Sequence, residues 1–201
     1  MRRLFRLDHG HDNFLLANLK IHTEIVLYPQ GHLGIQADAS LSLEGFPKRV
    51  LRVGLGLPSW GDGFQYNRGV VSEFQSALAA IDPELIPNQN DVFLAFLDPI
   101  SFCKVSKNNN TFFLDPLVSS APQCVSAFPG LKILLVGDTH HGLLSLQNAL
   151  AYCKQEAWDA FLLCHEPSHI DWFRAVLGDE RVFHLHHQIS ADELGLVDLR
   201  K

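Results

Sequence analysis

The chain has 201 residues, and its composition is that of a folded globular protein. Hydrophobic residues make up 47% of it and the formal net charge is only −6, which together exclude a disordered chain. The 22 acidic residues outnumber the 16 basic ones, which argues against nucleic-acid binding through bulk positive charge. No apolar run approaches the roughly 18 residues that a membrane-spanning helix needs.

The amino-terminal sequence predicts a cytoplasmic protein without a signal peptide. It carries three arginines, but the charged and histidine-containing residues 8–12 interrupt any apolar segment, and no small-residue cleavage site follows. The four cysteines form no C-x-x-C pair and are too few for a disulfide scaffold. We therefore expect reduced cysteines, with Cys153 and Cys164 packed as small hydrophobic residues.

Residues 1–48 predict a β-rich amino-terminal extension. Short alternating segments occur at 23–28 and 33–37, and glycine and proline punctuate them at Gly31 and at 45–47. This pattern fits two or three short strands, for which antiparallel pairing is one arrangement.

Residues 49–128 change to an alternation of strand and helix. The segment 49–55 predicts a strand, and apolar residues at helical spacing predict a helix over 70–81. The continuous apolar run 91–97 is typical of a buried parallel strand. We expect a loop over 104–128.

Residues 131–188 predict a β-α-β-α-β unit. Apolar strands occur at 132–136, 160–164 and 181–185, and helical spacing separates them at 143–153 and 170–177. The connections are so short that right-handed crossovers between parallel strands are the expected arrangement.

These segments together predict an α/β fold. Residues 49–201 are expected to form a Rossmann-like, doubly wound parallel sheet, preceded by the β-rich extension of residues 1–48.

Eleven of the 201 residues are histidine, and they are unevenly distributed. Seven belong to the β-α-β-α-β unit, namely His140, His141, His165, His169, His184, His186 and His187. All but His184 come at or just after the carboxyl end of a predicted strand, where open parallel sheets bind ligands. We therefore expect one ligand-binding edge, which Asp138 and Glu166 share. His9, His11, His22 and His32 belong to the extension and have no assigned role.

The catalytic candidates at this edge are Asp138, His140 and His141. Histidine acts as a general acid or base near neutral pH, binds divalent metals, and donates hydrogen bonds to sugar hydroxyls or phosphate. A structural alternative is that Asp138 caps the helix that follows. The candidate substrate-binding residues are Gly142, His165, Glu166, His169, His187, Trp60 and Tyr66.

Neither a metal nor a cofactor is expected. No H-x-x-x-H or C-x-x-C spacing is present, so a dedicated zinc site is not predicted. The glycine-rich segment 54–63 has Ser59 where the dinucleotide pattern G-x-G-x-x-G requires glycine, and it lacks G-K-S/T. It fits better as a strand-to-helix turn beside a ligand cleft, with Trp60 and Tyr66 available to contact a sugar.

The strand end Asp138-Thr139-His140 resembles the D-x-H opening motif of calcineurin-like metallophosphoesterases. The further motifs of that family, G-D-x-x-D and G-N-H-E or G-N-H-D, do not follow, because the next strand ends in Cys-His-Glu-Pro at 164–167. A two-metal site therefore cannot be completed. A degenerate metal-dependent phosphoesterase is the weakest of the functional alternatives.

The sequence L-V-G-D-T-H-H-G at 135–142, followed by a helix, W-D-A-F at 158–161 and a third strand, resembles the amino-terminal half of CgeB-like glycosyltransferases. This GT-B family is named after a spore maturation protein. The resemblance covers about residues 131–190, and only the architecture over 49–100. It implies that Asp138, His140 and His141 line the interdomain cleft on the acceptor side. One histidine would act as base or orient an acceptor hydroxyl, with Asp138 fixing its imidazole.

The resemblance also implies a carbohydrate or glycoconjugate acceptor as the binding partner. A GT-B enzyme binds its nucleotide sugar in a second Rossmann-like half, for which 201 residues leave no room, so transfer requires a second domain. The proline-rich link that follows the third strand in that family is replaced here by residues 186–193. The main alternative is a non-catalytic α/β module that binds a ligand or a partner.

Overall fold

A computed structural model of the chain describes residues 2–7, 21–28, 32–43, 46–56, 70–97, 103–105, 112–114, 128–137, 143–155, 158–163 and 167–184. These residues form ten strands and three α-helices. The strands are β1 (Arg3–Leu7), β2 (Thr23–Tyr28), β3 (Gly34–Leu43), β4 (Phe46–Gly54), β5 (Val92–Leu97), β6 (Cys103–Val105), β7 (Phe112–Leu114), β8 (Leu131–Val136), β9 (Ala160–Leu163) and β10 (Val182–His184). The helices are α1 (Val70–Ile81), α2 (Leu143–Gln155) and α3 (Pro167–Leu177).

Eight of these strands form one mostly parallel sheet in the order β10-β9-β8-β5-β1-β2-β4-β3. From β1 the chain proceeds to β2 and β4 on one side, and then returns through α1 to β5, β8, β9 and β10 on the other. Only β3 is antiparallel to its neighbour, β4. The predicted α/β class with a Rossmann-like parallel sheet is therefore confirmed.

The three described helices pack on the same face of this sheet. Alternate strand residues, such as Phe5, Phe93 and Phe161, point toward that face because successive side chains of a strand alternate between its two faces. Leu78 of α1 and Phe173 of α3 belong to the same buried cluster, as do three residues of α2. The hydrophobic core that positions the edges of the sheet lies in this layer.

The parallel strands begin along one side of the sheet, which we call the amino edge. An ion pair between Arg3 and Asp91 connects strands there. The Arg3 guanidinium donates two hydrogen bonds to the Asp91 carboxylate, from Nε at 3.1 Å and from Nη2 at 2.6 Å. The backbone amide of Asn88 donates to the same carboxylate, and the amide of Leu131 donates to the Asp91 carbonyl oxygen. Asp91 therefore links β1, β5 and β8 where these strands begin.

A second charged cluster is buried on the face away from the helices. Arg6 of β1 donates from Nε to Glu24 Oε1 of β2 at 2.6 Å, and Lys48 of β4 forms an ion pair with Glu24 Oε2. All three side chains are buried. Burial by itself raises the pKa of Glu24, but the hydrogen bonds and charges of Lys48 and Arg6 outweigh it, so this pKa lies below its ordinary value.

The described residues of the segment 1–48 are integrated into the sheet. Strands β1 and β2 are inner, parallel strands, and the expected boundary at residue 48 falls within β4. The β3–β4 hairpin supplies the antiparallel pairing that was one of the arrangements open to this region. The expected loop over 104–128 contains part of a small hairpin of β6 and β7, whose strands of three residues are too short for a periodic signal.

Within the described residues, none of the helices is long and apolar enough to span a membrane. Cys153 is buried in the hydrophobic core and forms no disulfide, as the sequence predicted.

Two adjacent residues of α3 test the packing of the helix layer. Phe173 is fully buried against the sheet, whereas Trp172 is 49% exposed. We expect Phe173→Ala to lower the free energy of unfolding by about 3–5 kcal/mol, because it leaves a cavity in the core. Trp172→Ala should cost less, about 1 kcal/mol, because about half of the indole is already exposed. Urea denaturation measures both changes, and equal losses would contradict the orientation of α3.

The buried charge cluster predicts a pH-dependent effect of Glu24→Gln. The change leaves Arg6 and Lys48 without their carboxylate, so we expect a loss of about 3–5 kcal/mol near pH 7. Because the folded-state pKa of Glu24 is lowered, its stabilisation is present above the pKa of an unfolded glutamate and is lost as the pH falls through the folded-state value. Urea denaturation of both proteins should therefore give a smaller difference at about pH 3.

The control for this experiment is Asp38→Asn, which removes the carboxylate of an exposed ion pair with Arg49. Solvent screens this pair, so we expect a much smaller loss of stability. A difference between the parent protein and Glu24→Gln that stayed constant from pH 7 to pH 3 would contradict the assignment.

Candidate functional site

The carboxyl ends of four parallel strands lie side by side at one edge of the sheet. Val136 at the end of β8 is in register with Leu97 of β5 and with Leu163 of β9. Leu163 is in turn in register with His184, the last residue of β10. The four strands therefore end at the same level, and the chain leaves each of them at the same edge, which we call the carboxyl edge.

Most of the predicted site residues follow these strand ends in the sequence but lie beyond the part of the chain that the structure describes. They are Asp138, His140, His141, Gly142, His165, Glu166 and His187, together with Trp60 and Tyr66. The described residues around them are Gly137 after β8, the start of α2 at Leu143, and the start of α3 at Pro167. The structure thus brings the flanking strands and helix starts together, and the roles of these nine residues remain predictions.

His169 is the predicted substrate-binding residue that the structure describes. It lies in the first turn of α3 and is half-buried. Its imidazole stacks on the indole of Trp172, with ring centroids 5.1 Å apart and planes inclined by 18°. The stacked pair places a broad aromatic surface beside the carboxyl edge. Trp172 was not among the predicted site residues. Its spacing of three residues from His169 would have indicated that the two side chains are neighbours on one face of a helix.

The topology also reveals residues that the sequence reading left without a role. Strand β1 lies between β2 and β5. From β2 the chain continues toward β4 on one side of the sheet, and from β5 it continues toward β8 on the other side. The topological switch point of the sheet is therefore at β1. Ligands of open α/β sheets bind outside the carboxyl ends of strands at such a point. The sequence that follows β1 is Asp-His-Gly-His-Asp at 8–12, which includes His9 and His11.

The other two amino-terminal histidines lie at opposite edges. His32 comes between the end of β2 and the start of β3 and is exposed. His22 precedes β2 at the amino edge, where its ring stacks on Phe46 with centroids 4.5 Å apart and Nδ1 donates to the Pro47 carbonyl oxygen at 3.2 Å. His22 is therefore a structural histidine.

At the far side of the sheet, the start of the glycine-rich segment has a defined backbone. The Leu55 amide donates to the Tyr28 carbonyl oxygen at 3.0 Å, which continues the β2–β4 pairing past the strand end. Gly56 then adopts a left-handed conformation with φ +62°, close to Leu33. A side chain at residue 56 would be strained and would crowd Leu33, so glycine is required for this turn.

Among the residues that the structure describes, no three His, Cys, Asp or Glu side chains are grouped to hold a metal ion. The described part of the edge offers imidazole, indole and backbone groups, which suit hydrogen bonding and stacking with a neutral polar ligand.

Comparison of the chain with models of known protein families, with curated proteins and with solved structures finds no match.

Proposed function

We propose that the carboxyl edge of the sheet binds a carbohydrate, and that the chain is the acceptor-binding half of a glycosyltransferase of the GT-B type. The observation that carries this proposal is the shared level of the strand ends at Val136, Leu163 and His184. Three segments with many histidines follow these ends, and the common level brings their starting points to one edge. The resemblance of residues 131–190 to CgeB-like glycosyltransferases supplies the substrate class.

The chemistry available at the edge fits a sugar ligand. Sugars present hydroxyl groups that both donate and accept hydrogen bonds, and imidazole and carboxylate side chains match them in either role. Sugars also present apolar C–H faces, against which the exposed indole of Trp172 can stack beside His169. The starts of α2 and α3 add backbone N–H groups at the same edge.

In the proposed mechanism, the acceptor hydroxyl oxygen attacks the anomeric carbon of the donor sugar, and the bond from that carbon to the nucleotide phosphate breaks, so that the nucleotide leaves. His140 or His141 accepts the proton of the hydroxyl. A neutral imidazole is suited to this role near pH 7. Asp138 accepts a hydrogen bond from the other ring nitrogen, which fixes the tautomer and stabilises the imidazolium that forms. Transfer itself needs a donor-binding half in addition to the sheet described here. This chain by itself is proposed to bind the acceptor.

Saccharide binding by the chain tests this proposal. We expect isothermal titration with maltose, cellobiose and chitobiose to detect binding of at least one disaccharide, with a dissociation constant of about 1 mM. The variants Asp138→Ala and His140→Ala should weaken this binding about tenfold, because each removes a hydrogen bond to the sugar or to the imidazole that contacts it. Amide NMR signals of Val136, Leu163 and His184 should shift on binding.

The control is His22→Ala, which removes a histidine at the opposite edge and should leave the affinity unchanged. All variants should be checked by thermal unfolding. An absence of binding at about 50 mM of each disaccharide, or equal affinity in Asp138→Ala, His140→Ala and the parent, would overturn the proposal. A partner-binding module without sugar affinity would then be the better reading.

A further inference from the structure

Strand β3 is the outermost strand at one end of the sheet, and its outer edge is unpaired among the described residues. It is ten residues long and pairs along its whole length with β4. Its side chains from Ile35 to Ser42 are all exposed, including Ile35 at 47% and Leu41 at 46%. Within the described chain, β3 therefore has one paired edge, one open edge and no cover on either face.

The sequence of β3 lacks most of the features by which edge strands usually avoid pairing. It has no proline and no lysine, and Asp38 is its one charged residue. The Arg49 guanidinium of β4 donates two hydrogen bonds to this carboxylate, from Nε at 2.9 Å and from Nη2 at 2.7 Å. The charge is therefore compensated within the chain. The single β-bulge, between Ile35 and Ala37, lies near the start of the strand and leaves the remainder regular.

From Ala37 onward, the side chains of β3 separate into an apolar and a polar row, whereas Ile35, before the bulge, lies opposite Val53 on the helix face. Ala37, Ala39 and Leu41 lie opposite Arg52, Val50 and Lys48 of β4, so they share the face of the sheet that is away from the helices. Asp38, Ser40 and Ser42 lie on the helix face. Such alternation is typical of a strand with one buried face, yet both rows are exposed in the isolated chain.

We propose that β3 pairs antiparallel with β3 of a second copy of this chain, forming a symmetric dimer with one continuous sheet. The two-fold axis passes beside Ala39, so Ala39 of one copy lies opposite Ala39 of the partner copy, which fixes the register of the two strands. Ala37 then lies opposite Leu41 of the partner copy, and Asp38 lies opposite Ser40 of the partner copy.

Charge and size complementarity favour a second copy as the occupant. In this register the partner places a hydroxyl that can donate a hydrogen bond, rather than a like charge, opposite each Asp38 carboxylate. A small side chain lies opposite a large one at each Ala37–Leu41 pair, which extends the apolar row across the two copies. The same groups meet on both sides of the axis, as an isologous interface requires.

The limited size of the contact sets its strength. Pairing of one edge strand buries less surface than the roughly 1,200–2,000 Å² of a stable complex, so we expect a weak dimer. A dissociation constant of about 10 µM is consistent with a contact of that class. The dimer would also make β3 an inner strand, paired with β4 on one side and with the partner copy on the other.

Sedimentation equilibrium over about 1–300 µM tests the proposal. We expect the average mass to rise from the 22.5 kDa of the single chain toward twice that value. Ala39→Lys should raise the dissociation constant at least tenfold, because it places two like charges side by side at the axis. Since residue 39 is exposed, the thermal unfolding of the monomer should be unchanged. The matched control is Ala80→Lys at an exposed position of α1, which should leave the dimer intact.

Hydrogen exchange at low and high protein concentration gives a second readout that does not depend on a variant. Backbone amides of β3 should exchange more slowly at high concentration, whereas those of the opposite edge strand β10 should not change. A chain that remains monomeric at 300 µM would overturn the proposal. A dimer that Ala39→Lys does not weaken, or one without added protection in β3, would place the contact elsewhere and overturn it equally.

Discussion

Strand β1 lies inside the sheet, between β2 and β5, and connects its two sides. Its five residues join the β2-β4-β3 side of the sheet to the β5-β8-β9-β10 side. Its two arginines form ion pairs with carboxylates from the two neighbouring sides of the sheet. Arg3 pairs with Asp91, which precedes β5, at the amino edge, and Arg6 pairs with Glu24 of β2 on the face away from the helices. Leu4 and Phe5 are buried on opposite faces of the sheet. A strand of five residues can hold this central place because it pairs with a strand on each side and buries side chains on both faces. Each of its two arginines also has a carboxylate partner.

The candidate site follows from this arrangement. The strands β5, β8 and β9 pair without a bulge and end at a common level, at Leu97, Val136 and Leu163. The segments that carry histidine begin there because crossovers between parallel strands leave the sheet at its carboxyl edge. The opposite edge is occupied by structural contacts, such as those of His22 and Asp91. The two edges of the sheet therefore differ in chemistry.

Much of the fold could be predicted because long elements carry periodic signals. The helix over Val70–Ile81 and the strands β2, β5, β8 and β9 agree with the sequence within about two residues, the usual uncertainty of element ends. Strand β1 was not predicted, because five residues with two arginines resemble a charged terminus rather than an inner strand. The arginines are tolerated because their carboxylate partners, Asp91 and Glu24, are 88 and 18 residues away in sequence. The chemistry of Asp138, His140 and His141 remains a prediction from the strand end they follow.

The sequence alone identified the three described helices, most of the longer strands, the α/β class, and the association of histidine with the strands β8, β9 and β10. These are local properties, since hydrophobic periodicity and turn residues act over a few residues. Tertiary structure alone decided the strand order, the central place of β1, the switch point that His9 and His11 follow, and the exposed outer edge of β3. Each of these depends on contacts between residues that are distant in the chain, for which local periodicity contains no information.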